Sequence, residues 1–151
     1  VDGLEIRVVA TPGHTADSFS FWLPGDRALL TGDTVLGRGT TVVSHPDGHL
    51  GAYLDSLDRL RDLAETNEAA HVLPGHGPVI DDALAALDFY VSHRQARLAQ
   101  VEQAVVELAD GSEGEVDARA VVERVYADVD PVLWGAAELS VRAQLEYLHS
   151  R

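Results

Sequence analysis

Three short stretches carry side chains able to bind a divalent metal: ThrProGlyHisThr (11–15), LeuLeuThrGlyAspThr (29–34) and LeuProGlyHisGly (73–77). Each closes an apolar run predicted to be a strand and ends in a glycine-containing turn with one ligand, respectively His14, Asp33 and His76. A ligand just past a buried strand has little conformational freedom to lose when it binds. A neighbouring glycine lets the backbone approach closely. Two imidazoles and a carboxylate suit zinc or a comparable divalent ion. Taken singly, each stretch reads as an ordinary turn that hydrogen-bonds its own backbone. Three in succession, each at a strand end between residues 14 and 76, are hard to assign to coincidence.

Composition narrows the chemistry. The 151 residues are 46% hydrophobic and 24% charged, as in globular domains, and no apolar run reaches the ~20 residues of a membrane span. Without cysteine there is no disulfide, thiolate site or cysteine nucleophile, which leaves His, Asp and Glu as the strong metal ligands. Twenty-five acidic against eleven basic residues, all arginine, give a formal charge of −14. Such a surface repels polyanions unless a local arginine patch intervenes. Methionine is absent even at position 1, and the opening VDGLEIRVVATPGH already enters an apolar run. The expectation is a segment of a longer protein, with cytoplasmic as the default location.

The elements that must position these ligands fall into two regimes meeting near residue 80. Strands are predicted at Leu4–Ala10, Ser18–Leu23, Arg27–Leu30 and His71–Leu73, interrupted by one helix at about Leu50–Glu65. Beyond residue 80 the pattern is helical. A long helix runs from about Asp82, a candidate cap, to near Leu108. A linker is predicted over 109–115, followed by helices at about Val116–Tyr126 and Pro131–His149.

The three metal-bearing stretches resemble the later metal motifs of the metallo-β-lactamase-fold hydrolases, and the resemblance covers essentially the whole chain. The stretch GlyAspThrValLeuGlyArgGlyThrThrVal (32–42) and TyrValSerHisArg (90–94) look like the subgroup called β-lactamase-like protein 2, some of whose members are endoribonucleases. Residues 126–148 resemble that subgroup's small C-terminal winged-helix domain. The implied fold class is α/β: the C-terminal half of a metallo-β-lactamase αββα sandwich in residues 1–108, including the helix 82–108. After the 109–115 linker, a small all-α winged-helix-like domain without its wing fills 116–151.

The resemblance further implies a binuclear site holding two zinc ions. His14 completes the first, Asp33 bridges both and His76 completes the second, with a shared water that becomes hydroxide near neutral pH and attacks the scissile bond. The family's first motif, H-x-H-x-D-H, has no match here. Three ligands shared by two ions leave each site short, so the resemblance implies weak or partial metal binding in this chain alone. The missing N-terminal half of the fold, or self-association, is the implied partner. His45-Pro46-Asp47-Gly48-His49 has the wrong order and position for that motif, and its Pro-Asp-Gly reads as a turn in a solvated loop.

Other residues divide between structural and functional readings. Tyr90, His93, Arg94 and Arg97 share one helix and read as pins for it, with contact to a substrate phosphate as the alternative. Asp17 and Ser18 are candidates to orient the His14 turn, His71 and His149 read as structural or surface residues, and Trp22 and Trp134 as core or interface aromatics. The leading function is hydrolysis with a metal-bound hydroxide. The subgroup points to RNA phosphodiesters, whereas the charge points toward a small-molecule thioester or ester, in the manner of glyoxalase II. A third reading is a non-catalytic helix-turn-helix interaction module. DNA binding is not expected of it, because the helix over 131–149 carries a single arginine, Arg142, beside Glu138 and Glu146.

Overall fold

The computed structural model describes residues 3–109 and 116–151. Strands β1 (Arg7–Ala10), β2 (Phe19–Leu23), β3 (Ala28–Gly32) and β4 (His71–Pro74) form one sheet in the order β1-β2-β3-β4. The first two pairings are antiparallel and β3–β4 is parallel. A parallel pair requires a crossover, and helix α1 (Leu50–Thr66) lies within it. The expected strand from Leu4 is shorter, starting at Arg7. Arg7 pairs with Trp22 near the end of β2, and Pro24 just beyond has no N–H to extend a ladder.

Period-two alternation sorts the sheet into two faces. Val9, Ser20, Trp22, Leu29 and Val72 face inward. They meet α1, whose Leu50, Tyr53, Leu57, Leu60 and Ala64 recur at helical spacing, and the first half of α2 (Ala83–Ala109) through Leu87 and Tyr90. The Asp82 carboxylate accepts from the Ala85 N–H at 3.0 Å and caps α2, as the sequence predicted. The opposite face is open. Val8, Phe21, Leu30 and Leu73 are successive cross-strand neighbours there, with Phe19 and Ile6 beside them, and Val8 is 65% exposed.

The second half of α2 joins a separate core. Val101 and Ala104 pack with Ala118, Val121 and Val122 of α3 (Ala118–Val125) and Val141 of α4 (Trp134–His149). α3 is shorter than expected at both ends, and the helix predicted from Pro131 opens as a 3₁₀ turn over Pro131–Leu133. There Asp130 accepts from the Val132 N–H and proline occupies the first turn. Of the predicted linker, Ala109 closes α2 and residues 110–115 lie outside the described residues. No described helix is long and apolar enough to cross a membrane.

Candidate metal site

All three sequence-predicted ligands gather at one end of the sheet. Asp33 follows β3 at a register irregularity between Leu30 and Gly32, where Gly32 takes a φ of +50°. The Gly75 N–H donates to the Gly32 carbonyl at 2.8 Å, locking the His76 turn against it. His14 stands at the end of β1, where His49 N–H donates to the Gly13 carbonyl. Gly13 itself packs so tightly on Tyr53 that a Cβ would fall 2.3 Å from the Tyr53 Cα.

The carboxylate of Asp33 lies between the two imidazoles. Its Oδ2 is 3.8 Å from His14 Nε2, and its Oδ1 is 3.5 Å from His76 Nε2. Oδ1 is buried yet has no hydrogen-bond partner, which is costly for a carboxylate oxygen with no cation beside it. Gly75 leaves room next to it, since a Cβ there would stand 2.9 Å from Oδ1. Among the described residues no group of three or more His, Asp or Glu side chains is placed to hold one ion. What is present is two pairs sharing Asp33, so the donor set fits half of the ligands of each of two ions.

One segment unforeseen as machinery reaches all three ligands. The Gly37 N–H donates to the His76 carbonyl at 2.9 Å, the Thr41 hydroxyl to the Asp33 carbonyl at 2.7 Å, and His14 Nδ1 donates to the Val42 carbonyl at 2.6 Å. A carbonyl can only accept, so Nδ1 of His14 carries a proton, and in the neutral ring that leaves Nε2, on the side facing Asp33, free to bind. Helices α1 and α2 hold this strap of residues 34–43. The Tyr53 hydroxyl donates to the Thr34 carbonyl at 2.6 Å, the Tyr90 hydroxyl accepts from the Leu36 N–H at 2.8 Å, and the buried Arg94 guanidinium donates to the Thr41 carbonyl. Burial raises the Tyr53 pKa, against the Arg94 cation that lies 4.9 Å from its ring centroid and lowers it; burial also raises that of Tyr90.

The remaining candidates fall outside the cluster. Arg97 donates to the Val125 carbonyl at 2.9 Å and lies over the Tyr126 ring, pinning α3 rather than the sheet. His93 stacks on Phe89, and burial, reinforced by Arg94 and Arg97, lowers its pKa. His45 Nε2 and His49 Nδ1 approach Glu146 Oε2 of α4 at 3.8 and 3.9 Å, beside a cleft of about 750 Å³ that Arg142 and His149 also line. Asp17 and Ser18 bond Thr15 beside His14, within the turn they were expected to orient. Trp22 is core, Trp134 Nε1 donates to the Val129 carbonyl at 2.9 Å, and His71 Nδ1 lies 3.4 Å from Asp81.

Comparison with known proteins agrees with this architecture. Residues 1–76 match the metallo-beta-lactamase superfamily and residues 118–151 the beta-lactamase associated winged helix domain. The chain belongs to the metallo-beta-lactamase superfamily, which includes metal-dependent hydrolases. It is 42% identical over 128 residues to a beta-lactamase-like protein 2 homolog of Caenorhabditis elegans, covering 85% of this chain and 39% of that protein. Against the Drosophila melanogaster homolog of the same name it is 33% identical, over 97% of this chain and 46% of that one. A metallo-beta-lactamase family protein of Thermus thermophilus superposes with a TM-score of 0.77 at 28% identity, over 99% of this chain and 46% of the other. The chain thus spans less than half the length of the curated relatives it matches.

Proposed function

We propose that this chain carries the later half of the site of a zinc-dependent hydrolase, with the remaining ligands on a part of the fold outside residues 1–151. The observation that carries the reading is the Asp33 carboxylate, whose two oxygens each face a different imidazole while one of them is buried without a hydrogen bond. His14 and Asp33 would hold one ion, Asp33 and His76 the other. Zinc held there would supply Lewis acidity and activate water as a nucleophile. The chain's own contribution is pre-organisation. Val42 fixes the His14 tautomer, Thr41 fixes the backbone under Asp33, and Gly37 holds the His76 turn.

RNA phosphodiesters are the proposed substrate. The resemblance of residues 32–42 and 90–94 to a subgroup with endoribonuclease members favours this, and so does Arg38, exposed on the strap where its backbone packs against Gly77 beside His76. Arg38 provides the local cation that a chain of −14 charge needs before a polyanion can approach. The same charge favours a second reading, hydrolysis of a small thioester or ester. Zinc-loaded full-length protein assayed on single-stranded RNA and on S-acyl-glutathiones separates them. Cleavage of RNA that falls in Arg38→Gln supports the first, and turnover of thioester alone replaces it with the second. The winged-helix match over residues 118–151 fits the shape of the helix-turn-helix reading, whereas α4, whose Arg142 is ion-paired with Glu138, offers little to a polyanion.

A further inference from the structure

Ser140 is a buried hydroxyl in the middle of α4, 5% exposed, that the proposed chemistry does not use. It accepts from the Val43 N–H at 3.3 Å, across 97 positions of sequence. The other end of that same peptide unit is the Val42 carbonyl, which accepts from His14 Nδ1 at 2.6 Å. A trans peptide is rigid and its C=O and N–H point in opposite directions, so one planar group is gripped by the helical unit on one side and by the metal-ligand candidate on the other. The neighbouring backbone is fixed independently, with Arg94 on the Thr41 carbonyl and the Ser44 N–H on the His14 carbonyl. The tilt of the 42–43 plane is left to the two contacts it makes, with Ser140 and with His14.

We propose that Ser140 is a positioning residue. Through the Val42–Val43 peptide it keeps His14 protonated on Nδ1 with Nε2 free, so the appended helical unit directly orients a ligand of the metal site. The role of His14 as a ligand rests on the function proposed above, whereas its ring orientation does not.

The test uses the full-length protein with Ser140→Ala, Ser140→Thr and, as a control one residue away on the exposed side of α4, Leu139→Ala. Imidazole ¹H–¹⁵N correlation spectra of metal-free protein at alkaline pH, where histidine rings are neutral, read the tautomer. The expected result is an Nδ1-protonated His14 in wild type, Ser140→Thr and Leu139→Ala, and a shift toward the Nε2-protonated form in Ser140→Ala. Zinc affinity should weaken about 3- to 10-fold in Ser140→Ala alone, less than the roughly 10–100-fold cost of losing a ligand's direct partner. An unchanged His14 tautomer in folded Ser140→Ala protein overturns the proposal, as does an equal shift in Leu139→Ala. If the alanine protein does not fold, Ser140→Cys, with its weak sulfur acceptor, must shift the tautomer the same way, and failure to do so counts equally against it. A tautomer shift in a protein whose wild type binds no zinc upholds the Ser140 role and removes the metal reading instead.

Discussion

A carboxylate can give one oxygen to each of two cations, whereas an imidazole gives its one free nitrogen to a single ion, and this asymmetry separates Asp33 from His14 and His76. In zinc-loaded full-length protein, Asp33→Ala should lower occupancy of both sites, while His14→Ala and His76→Ala each empty chiefly one. Mass spectrometry of the bound zinc checks this. Two tightly held ions in Asp33→Ala would reduce Asp33 to a turn former worth about 1 kcal/mol. Gly75→Ala presses on the same carboxylate and on the turn beneath it, because its Cβ would meet Oδ1 at 2.9 Å and the Gly32 carbonyl carbon and oxygen at 3.1 Å, so it should lower both zinc affinity and stability, read by titration and urea unfolding. His93 makes a prediction about pH. Burial and two arginines lower its pKa in the fold, so the unfolded chain binds its proton more readily. The resulting penalty is absent well above the ordinary histidine pKa and grows as pH falls through it. Urea unfolding between about pH 8 and about pH 5 should show stability declining less in His93→Gln than in wild type.

At the scale of elements, the strap of residues 34–43 has no regular structure of its own, so its geometry is borrowed from α1, α2 and α4. Tyr90 is the α2 contact nearest the His76 side, since its hydroxyl takes the Leu36 N–H and lies 3.2 Å from the Gly39 carbonyl. Tyr90→Phe leaves these backbone groups unpaired and should cost about 1–3 kcal/mol. Native-state hydrogen exchange should locate the loss, accelerating the amides of residues 36–39 far more than those of β3. Uniform acceleration over the sheet would mean that Tyr90 serves the core rather than the strap.

For the molecule as a whole, the open sheet face decides behaviour. The row Val8–Phe21–Leu30–Leu73 is apolar from edge to edge, and soluble monomers rarely leave such a continuous patch bare. Residues 1–151 by themselves should therefore self-associate, and Phe21→Asp should shift them toward monomer in sedimentation. In the full-length protein the same substitution should destabilise, because it would place an unpaired charge under whatever covers the sheet. A Phe21→Asp full-length protein with unaltered denaturation would show that nothing covers this face.

Local chemistry made the ligands and most elements legible in the sequence. Glycine beside a single His or Asp after an apolar run marked residues 14, 33 and 76, and the helical spacing of Leu54, Leu57, Leu60 and Leu63 and the Asp82 cap marked α1 and α2. These signals act over a few residues, so they survive without knowledge of the fold. The strap was different. Residues 32–42 resembled the subgroup's sequence, but nothing local revealed that Gly37, Thr41 and Val42 each hold a different ligand. Arg94 read as a pin for its helix without its partner being visible, and Ser140 did not show at all, because its partner lies 97 positions away. Long-range hydrogen bonds to backbone leave no periodic mark on composition. Tertiary structure alone decided which carbonyl each ligand would meet, because only the packing of α1, α2 and α4 against the sheet brings those groups within bonding distance.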